Sequence, residues 1–143
     1  IKNISVSQNK VDDYLAYVKG VPNADVSEAA EDSLSYEAAE LVYTQGNCEV
    51  AIREFDKYMM KFPNAIFKIN ASYYKSDCLY KAKKYQEALP GFEFVIDHPK
   101  TNITEKSLLN AATINYRLKQ YDRAFVQFRA LENSAEVKEN IRL

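Results

Sequence analysis

One histidine and two cysteines are the side chains of this chain best suited to chemistry. His98 precedes Pro99 at the predicted end of a helix, where a cationic ring would suit the helix dipole, and no paired acids in register suggest a catalytic site. Cys48 and Cys78 lack the CxxC spacing of redox and metal motifs, so we expect free thiols packed as small apolar groups, with a disulfide as the alternative. The sequence thus predicts no catalytic residue, no metal site and no cofactor.

Composition indicates an ordinary globular domain. Hydrophobic residues make up 47% of the 143 residues, so one domain with its own core can form. The formal net charge is −1 with both signs interleaved, which argues against binding to a nucleic-acid backbone. No apolar run approaches the length of about 18 residues that suggests a membrane-spanning helix, so we expect no membrane insertion of this chain.

One sequence pattern occurs three times and predicts the architecture. An alanine is followed four residues later by a phenylalanine, at intervals of 37 and then 36 residues. Such a period is typical of stacked helical hairpins. Apolar residues at i, i+3, i+4 and i+7 before and after each turn predict two helices per unit. The three copies are Ala51 with Phe55, Ala88 with Phe92, and Ala124 with Phe128.

We therefore predict a single all-α domain over residues 1–143. Each repeated phenylalanine should be almost fully buried against the next unit, because one hairpin cannot bury both of its faces alone. Pro90 and Gly91 fall within a predicted helix; the unbroken apolar pattern predicts a bent helix with Pro90 towards solvent. The chain starts without Met and ends within a helical pattern, so we expect a piece of a longer protein. The predicted parts are the second helix of an incomplete unit (8–22), three units (27–63, 69–99 and 105–132) and the start of a further helix (134–143).

These residues resemble the tetratricopeptide repeat. That repeat has a small residue in its first helix, a turn glycine, and then alanine, an aromatic residue and a closing proline on its second helix. The resemblance implies a right-handed α-solenoid. Lys83 and Lys119 depart from it because they stand at the turn glycine, and the chain has no tryptophan. The matching residues are Ala39, Gly46, Ala51, Phe55, Tyr58 and Pro63 in the first unit, Ser76, Tyr85, Ala88, Phe92 and Pro99 in the second, and Ala112, Tyr121, Ala124 and Phe128 in the third.

The longer loop that contains residues 62–64 looks like the bacterial cell-envelope branch of this family, with its outer-membrane assembly lipoproteins and Tol-Pal coordinators. This implies a periplasmic or envelope location, with the cytoplasm as the alternative. The implied function is a non-catalytic scaffold that binds a protein or peptide, as part of a bacterial envelope complex. A self-association module, or a regulatory domain attached to an enzyme elsewhere in a longer protein, are the alternatives. The oligomeric state stays open.

The resemblance also implies a binding surface, since the first helices of such repeats line the concave face. Tyrosines there either bind a peptide or pack one hairpin against the next, and the sequence leaves both open. Tyr36 and Tyr73 stand where some relatives carry the key lysine of a carboxylate clamp, so we expect no clamp for a C-terminal acid. The candidate peptide-binding residues are Tyr36, Glu40, Tyr43, Tyr73, Asp77, Tyr80, Lys81, Lys106, Asn110, Tyr116 and Arg117.

Overall fold

The computed structural model describes the backbone of residues 28–137 and the side chains of residues 28–134. All regular secondary structure in this part of the chain is α-helical, which confirms the predicted all-α class there. The predicted helix at 8–22 lies outside the described residues. The helices are α1 (Glu28–Thr44), α2 (Cys48–Lys61), α3 (Lys68–Lys81), α4 (Tyr85–Ile96), α5 (Thr104–Arg117) and α6 (Tyr121–Val137).

Consecutive helices pack against each other along the described chain. The pairs α1–α2, α3–α4 and α5–α6 form three hairpins, which we number 1 to 3. Packing of α2 on α3 joins hairpins 1 and 2, and packing of α4 on α5 joins hairpins 2 and 3. We call these two contacts junction 1/2 and junction 2/3.

The last described helix differs from its prediction. Residues 121–137 form one uninterrupted helix, so the predicted boundary between a unit ending at 132 and a new helix from 134 is wrong. The segment contains neither proline nor glycine, and nothing in it forces the helix to stop.

The first two of the repeated alanine–phenylalanine pairs lie in the apolar core. Phe55 and Phe92 are fully buried, as predicted, in two successive apolar clusters. Phe128 is 38% exposed, so its predicted burial is wrong. The reason lies in its neighbours. Phe55 and Phe92 are covered by α3 and α5, whereas no helix among residues 28–137 packs on the outer side of α6.

The proline–glycine pair lies inside α4, which continues through it. Pro90 is exposed, as predicted. Gly91 is required by packing: a Cβ atom there would collide with Ser76 Oγ and with the carbonyl oxygen of Ser72 on α3. The glycine therefore lets the two helices of hairpin 2 approach closely.

The three hairpin turns share one hydrogen-bond pattern. In the first, the Gly46 amide donates to the Tyr43 carbonyl at 2.9 Å and the Asn47 amide to the Val42 carbonyl at 3.3 Å. The corresponding bonds recur in both later turns, so every first helix ends in a Schellman motif. Its left-handed residue is Gly46 with φ +83° in the first turn, but Lys83 with φ +63° and Lys119 with φ +65° in the others. A left-handed lysine costs about 1–2 kcal/mol, and glycine avoids this cost.

The loop between hairpins 1 and 2 is fixed by a buried acid. The hydroxyl of Tyr58 donates to Asp32 Oδ1 at 2.5 Å and accepts from the Phe67 amide at 3.0 Å. The other oxygen of Asp32 accepts from the Ile66 amide at 3.0 Å. This network anchors the start of α3 to hairpin 1.

Candidate binding surface

Three tyrosines stand in register near the ends of the first helices. Tyr43, Tyr80 and Tyr116 lie in the last turns of α1, α3 and α5. Tyr43 and Tyr80 are half-buried, and Tyr116 is 60% exposed. We call these three residues the tyrosine row. Their role in peptide binding stays a prediction.

The first ring of the row is held by a carboxylate. The Tyr43 hydroxyl donates to Asp77 Oδ2 at 2.7 Å, and Lys81 Nζ lies 3.0 Å from the same oxygen. The ammonium of Lys81 also lies 5.5 Å from the centroid of the Tyr43 ring. Burial first, and then the hydrogen bond to Asp77, raise the pKa of Tyr43 well above its usual 10. The hydrogen bond to Asp77 therefore orients the ring.

The second and third rings repeat one aromatic arrangement. Tyr80 meets Tyr85 edge to face with centroids 5.3 Å apart, and Tyr116 meets Tyr121 at the same separation. The interplanar angles are 68° and 65°. The guanidinium carbon of Arg117 lies 4.9 Å from the Tyr85 centroid, which connects the two pairs across junction 2/3.

Two predicted binding tyrosines belong to the core instead. Tyr36 is 4% exposed and stacks on Phe67 with centroids 4.5 Å apart. Tyr73 is 8% exposed and packs edge-on against Phe92. Burial raises the pKa of Tyr73 to about 12. For these two rings the structure favours packing, which the sequence had left open beside peptide binding.

The remaining predicted site residues divide by exposure. Asn110 is 6% exposed, so little of it is available to a ligand. Asp77 is 7% exposed and acts within the tyrosine row by orienting Tyr43. Glu40 is half-buried and accepts from the Tyr36 hydroxyl at 3.4 Å, whereas Lys106 and Arg117 are exposed. The structure thus brings together Tyr43, Asp77 and Lys81, and also Tyr80, Tyr85 and Arg117.

The two cysteines form a disulfide, so the prediction of free thiols is wrong. Cys48 begins α2 and Cys78 lies in α3, with their Cα atoms 5.3 Å apart. This distance is well within the range that a disulfide spans. Thirty residues separate the two in sequence, so the bond crosses junction 1/2. Packing of α2 on α3 brings the thiols together, and sequence spacing does not show that contact.

A polar cluster at junction 2/3 was not predicted. Arg123 Nη2 donates to both carboxylate oxygens of Glu93 at 3.0 Å. Gln127 Nε2 also donates to Glu93, at 3.0 Å, and Asn115 Nδ2 donates at 2.8 Å to the Gln127 oxygen. Asn115 is fully buried. Only the helical phase of Asn115 hinted at this burial, because it lies four residues after the buried Ala111 and seven after the buried Leu108.

The other reactive groups have local partners. His98 Nδ1 lies 2.7 Å from the carbonyl oxygen of Phe94, and its ring contacts the Phe94 ring. Among the described residues, no group of three or more His, Cys, Asp or Glu side chains could hold a metal ion. Between residues 28 and 137, no helix combines the length and apolar composition needed to cross a bilayer.

No family model matches the chain, and no curated protein matches it.

Proposed function

We propose that the chain is a module of the tetratricopeptide type, a right-handed α-solenoid that binds a protein or peptide and has no catalytic role. The observation that carries this proposal is the repeated pair formed by Tyr80 with Tyr85 and by Tyr116 with Tyr121. Both pairs have the same centroid separation and nearly the same angle, and both remain partly exposed. A purely structural contact would favour deeper burial, as found for Tyr36 and Tyr73.

The chemistry of the row suits recognition of a peptide. Tyrosine supplies a large apolar face and a hydroxyl at low entropic cost, which is why it is enriched in interfaces. Arg117 lies beside the Tyr85 ring and adds positive charge, and Lys81, paired with Asp77, contacts the Tyr43 ring. Because the same position recurs on successive hairpins, an extended ligand could contact Tyr43, Tyr80 and Tyr116 in turn.

The disulfide favours the envelope location over the cytoplasm. Structural disulfides form and persist in oxidising compartments such as the bacterial periplasm and are rare in reducing ones. Cys48–Cys78 joins two packed hairpins, with Cys78 fully buried. We therefore propose a scaffold within an envelope complex.

The test uses Tyr80→Ala and a peptide selected on the full chain from a displayed library. We expect this change to weaken binding of the selected peptide by about 1–2 kcal/mol. Calorimetric titration measures the affinity, and thermal unfolding of the same variant measures stability. Met60→Ala is the matched control, because Met60 is 81% exposed on a second helix. If Tyr80→Ala destabilises the fold and leaves the affinity of the folded protein unchanged, the row serves packing and the proposal fails.

One observation favours self-association as the rival function. The outer side of α6 exposes Phe125, Val126 and Phe128 at 63%, 64% and 38%. Contiguous exposed apolar residues are typical of interfaces. Light scattering of the full chain decides: a monomer agrees with peptide binding, whereas a dimer that Phe125→Asp dissociates would favour the rival.

A further inference from the structure

The three hairpin turns share one backbone and differ in charge. The first turn region, residues 44–48, carries no charged side chain. The corresponding region 81–85 carries three lysines. Region 117–121 carries one arginine and one lysine. We call residues 81–85 and 117–121 together the basic turn edge.

The lysines at the centre of this edge occupy an unfavourable backbone position. Lys83 and Lys119 adopt φ values of +63° and +65°, where the first turn has Gly46. Both residues are exposed, and neither side chain has a hydrogen-bond or ion-pair partner among the described residues. Glycine at these two positions would give a more stable fold than lysine. Backbone strain that recurs at the same position in two hairpins indicates a use for the side chain.

Most cations of the edge are available to a ligand. Lys83, Lys84 and Lys119 are exposed and form no ion pair with any described residue. Lys81 is paired with Asp77, and two further acids, Glu87 and Asp122, lie in the first turns of α4 and α6. The edge therefore carries an excess of positive charge although the whole chain has a net charge of −1.

Aromatic rings lie between these cations. Arg117 covers one face of Tyr85, and Tyr121 is 52% exposed. A hollow of about 380 Å³ opens beside the third turn and is lined by residues 119–123. Cations beside partly exposed tyrosine rings offer a partner to carboxylates and a surface to the apolar groups between them.

We propose that the basic turn edge binds an acidic segment of the protein partner. This inference rests on the proposed peptide-binding function and names the chemistry of the ligand. The edge spans two neighbouring turns, which suits a short segment with several Asp or Glu residues rather than a long polyanion. It also differs from a carboxylate clamp in the first helices, because its cations lie in the turns.

The test measures fluorescence anisotropy of labelled (Glu-Ser)6 with the full chain at low salt, and (Gln-Ser)6 serves as the neutral probe. We expect (Glu-Ser)6 to bind and (Gln-Ser)6 not to bind. Lys83→Gly and Lys119→Gly should each weaken binding two- to five-fold, because single exposed ion pairs are weak, and the double variant about ten-fold. Neither change should lower the thermal midpoint of unfolding, since glycine adopts the left-handed backbone conformation without strain.

A reciprocal change tests the same position for a gain of affinity. Gly46→Lys places a third cation in register, and its Cβ atom would meet open space. We expect tighter binding of (Glu-Ser)6 together with a lower thermal midpoint. Lys68→Gln is the charge control, because Lys68 begins α3 at the end of hairpin 2 away from the turn; it should leave affinity within two-fold.

Three results with the peptide probe would overturn this inference. They are absence of (Glu-Ser)6 binding, equal affinity of the double glycine variant, and an equal loss in Lys68→Gln. Binding to vesicles with 30% anionic lipid but not to the peptide would also overturn it in favour of a membrane surface. If (Glu-Ser)6 fails while the library-selected peptide still depends on Tyr80, only the acidic chemistry is wrong and the proposed function stands.

Discussion

Junctions 1/2 and 2/3 each bury a phenylalanine at the same repeat position, Phe55 and Phe92, but they differ in the other interactions that join the hairpins. At junction 1/2 the covalent bond between Cys48 and Cys78 joins α2 to α3. At junction 2/3, Glu93 on α4 binds Asn115 on α5 and Arg123 on α6. Junction 1/2 thus contains a redox-dependent covalent bond beside its ion pair, whereas polar groups and charge alone supplement the apolar packing at junction 2/3.

One position in the repeat shows how this difference arises. Asp56 and Glu93 are 37 residues apart and occupy the same register. Asp56 forms an ion pair with Lys75 at 2.7 Å, and the two side chains are 44% and 32% exposed. The Glu93 carboxylate is 20% exposed and lies within the cluster around Asn115. The repeat thus fixes where an acid stands, and its neighbours decide what the acid contributes to stability.

The largest expected effect comes from the buried phenylalanine that recurs at each junction. Phe92→Ala should cost about 3–5 kcal/mol, because Phe92 is fully buried and its removal leaves a cavity. Phe128→Ala should cost about 1 kcal/mol, since Phe128 is partly exposed. Chemical denaturation of both variants measures the difference. Similar losses would mean that Phe128 is covered in solution by something outside the described residues.

Breaking the disulfide should have the next largest effect. The bond closes a loop of 30 residues, so the double change Cys48→Ala and Cys78→Ala should cost about 3 kcal/mol in unfolding free energy. Hydrogen exchange should then increase more in α2 than in α6, because only junction 1/2 is affected. The double variant should unfold identically with and without reductant. Two free thiols in the denatured, unreduced wild-type chain would contradict the bond itself.

Much of this fold follows from the local sequence pattern. The hairpin turns, the burial of Phe55 and Phe92 and the exposure of Pro90 all depend on helical period and turn chemistry, which neighbouring residues specify. The disulfide depends instead on the approach of two hairpins. Cys48 stands in the register of Tyr85 and Tyr121, so the repeat pattern itself predicts an apolar side chain there and not a bond.

The candidate site was less predictable because the helical period shows which side of a helix a residue occupies but not how deeply it is buried. Tyr36 and Tyr43 are seven residues apart, as are Tyr73 and Tyr80, so each pair lies on one side of its helix. Tyr36 is nevertheless covered by Phe67, whereas Tyr43 lies in the last helical turn. For Tyr36, the covering residue comes from the segment that connects hairpins 1 and 2. The apolar pattern within one hairpin does not predict this contact.

The smallest predicted effect tests whether polar groups hold junction 2/3. Glu93→Gln removes the charge that accepts from Arg123 and Gln127, so we expect a loss of about 1–2 kcal/mol in unfolding free energy. The value stays modest because Arg123 is 59% exposed and its attraction is screened by solvent. Asp56→Asn, the change at the same register in hairpin 1, should cost less than about 0.5 kcal/mol. Denaturant titration of both variants with the disulfide intact measures the comparison. Equal losses would show that the Glu93 cluster adds no more than a surface ion pair, and the two junctions would then differ only by the covalent bond.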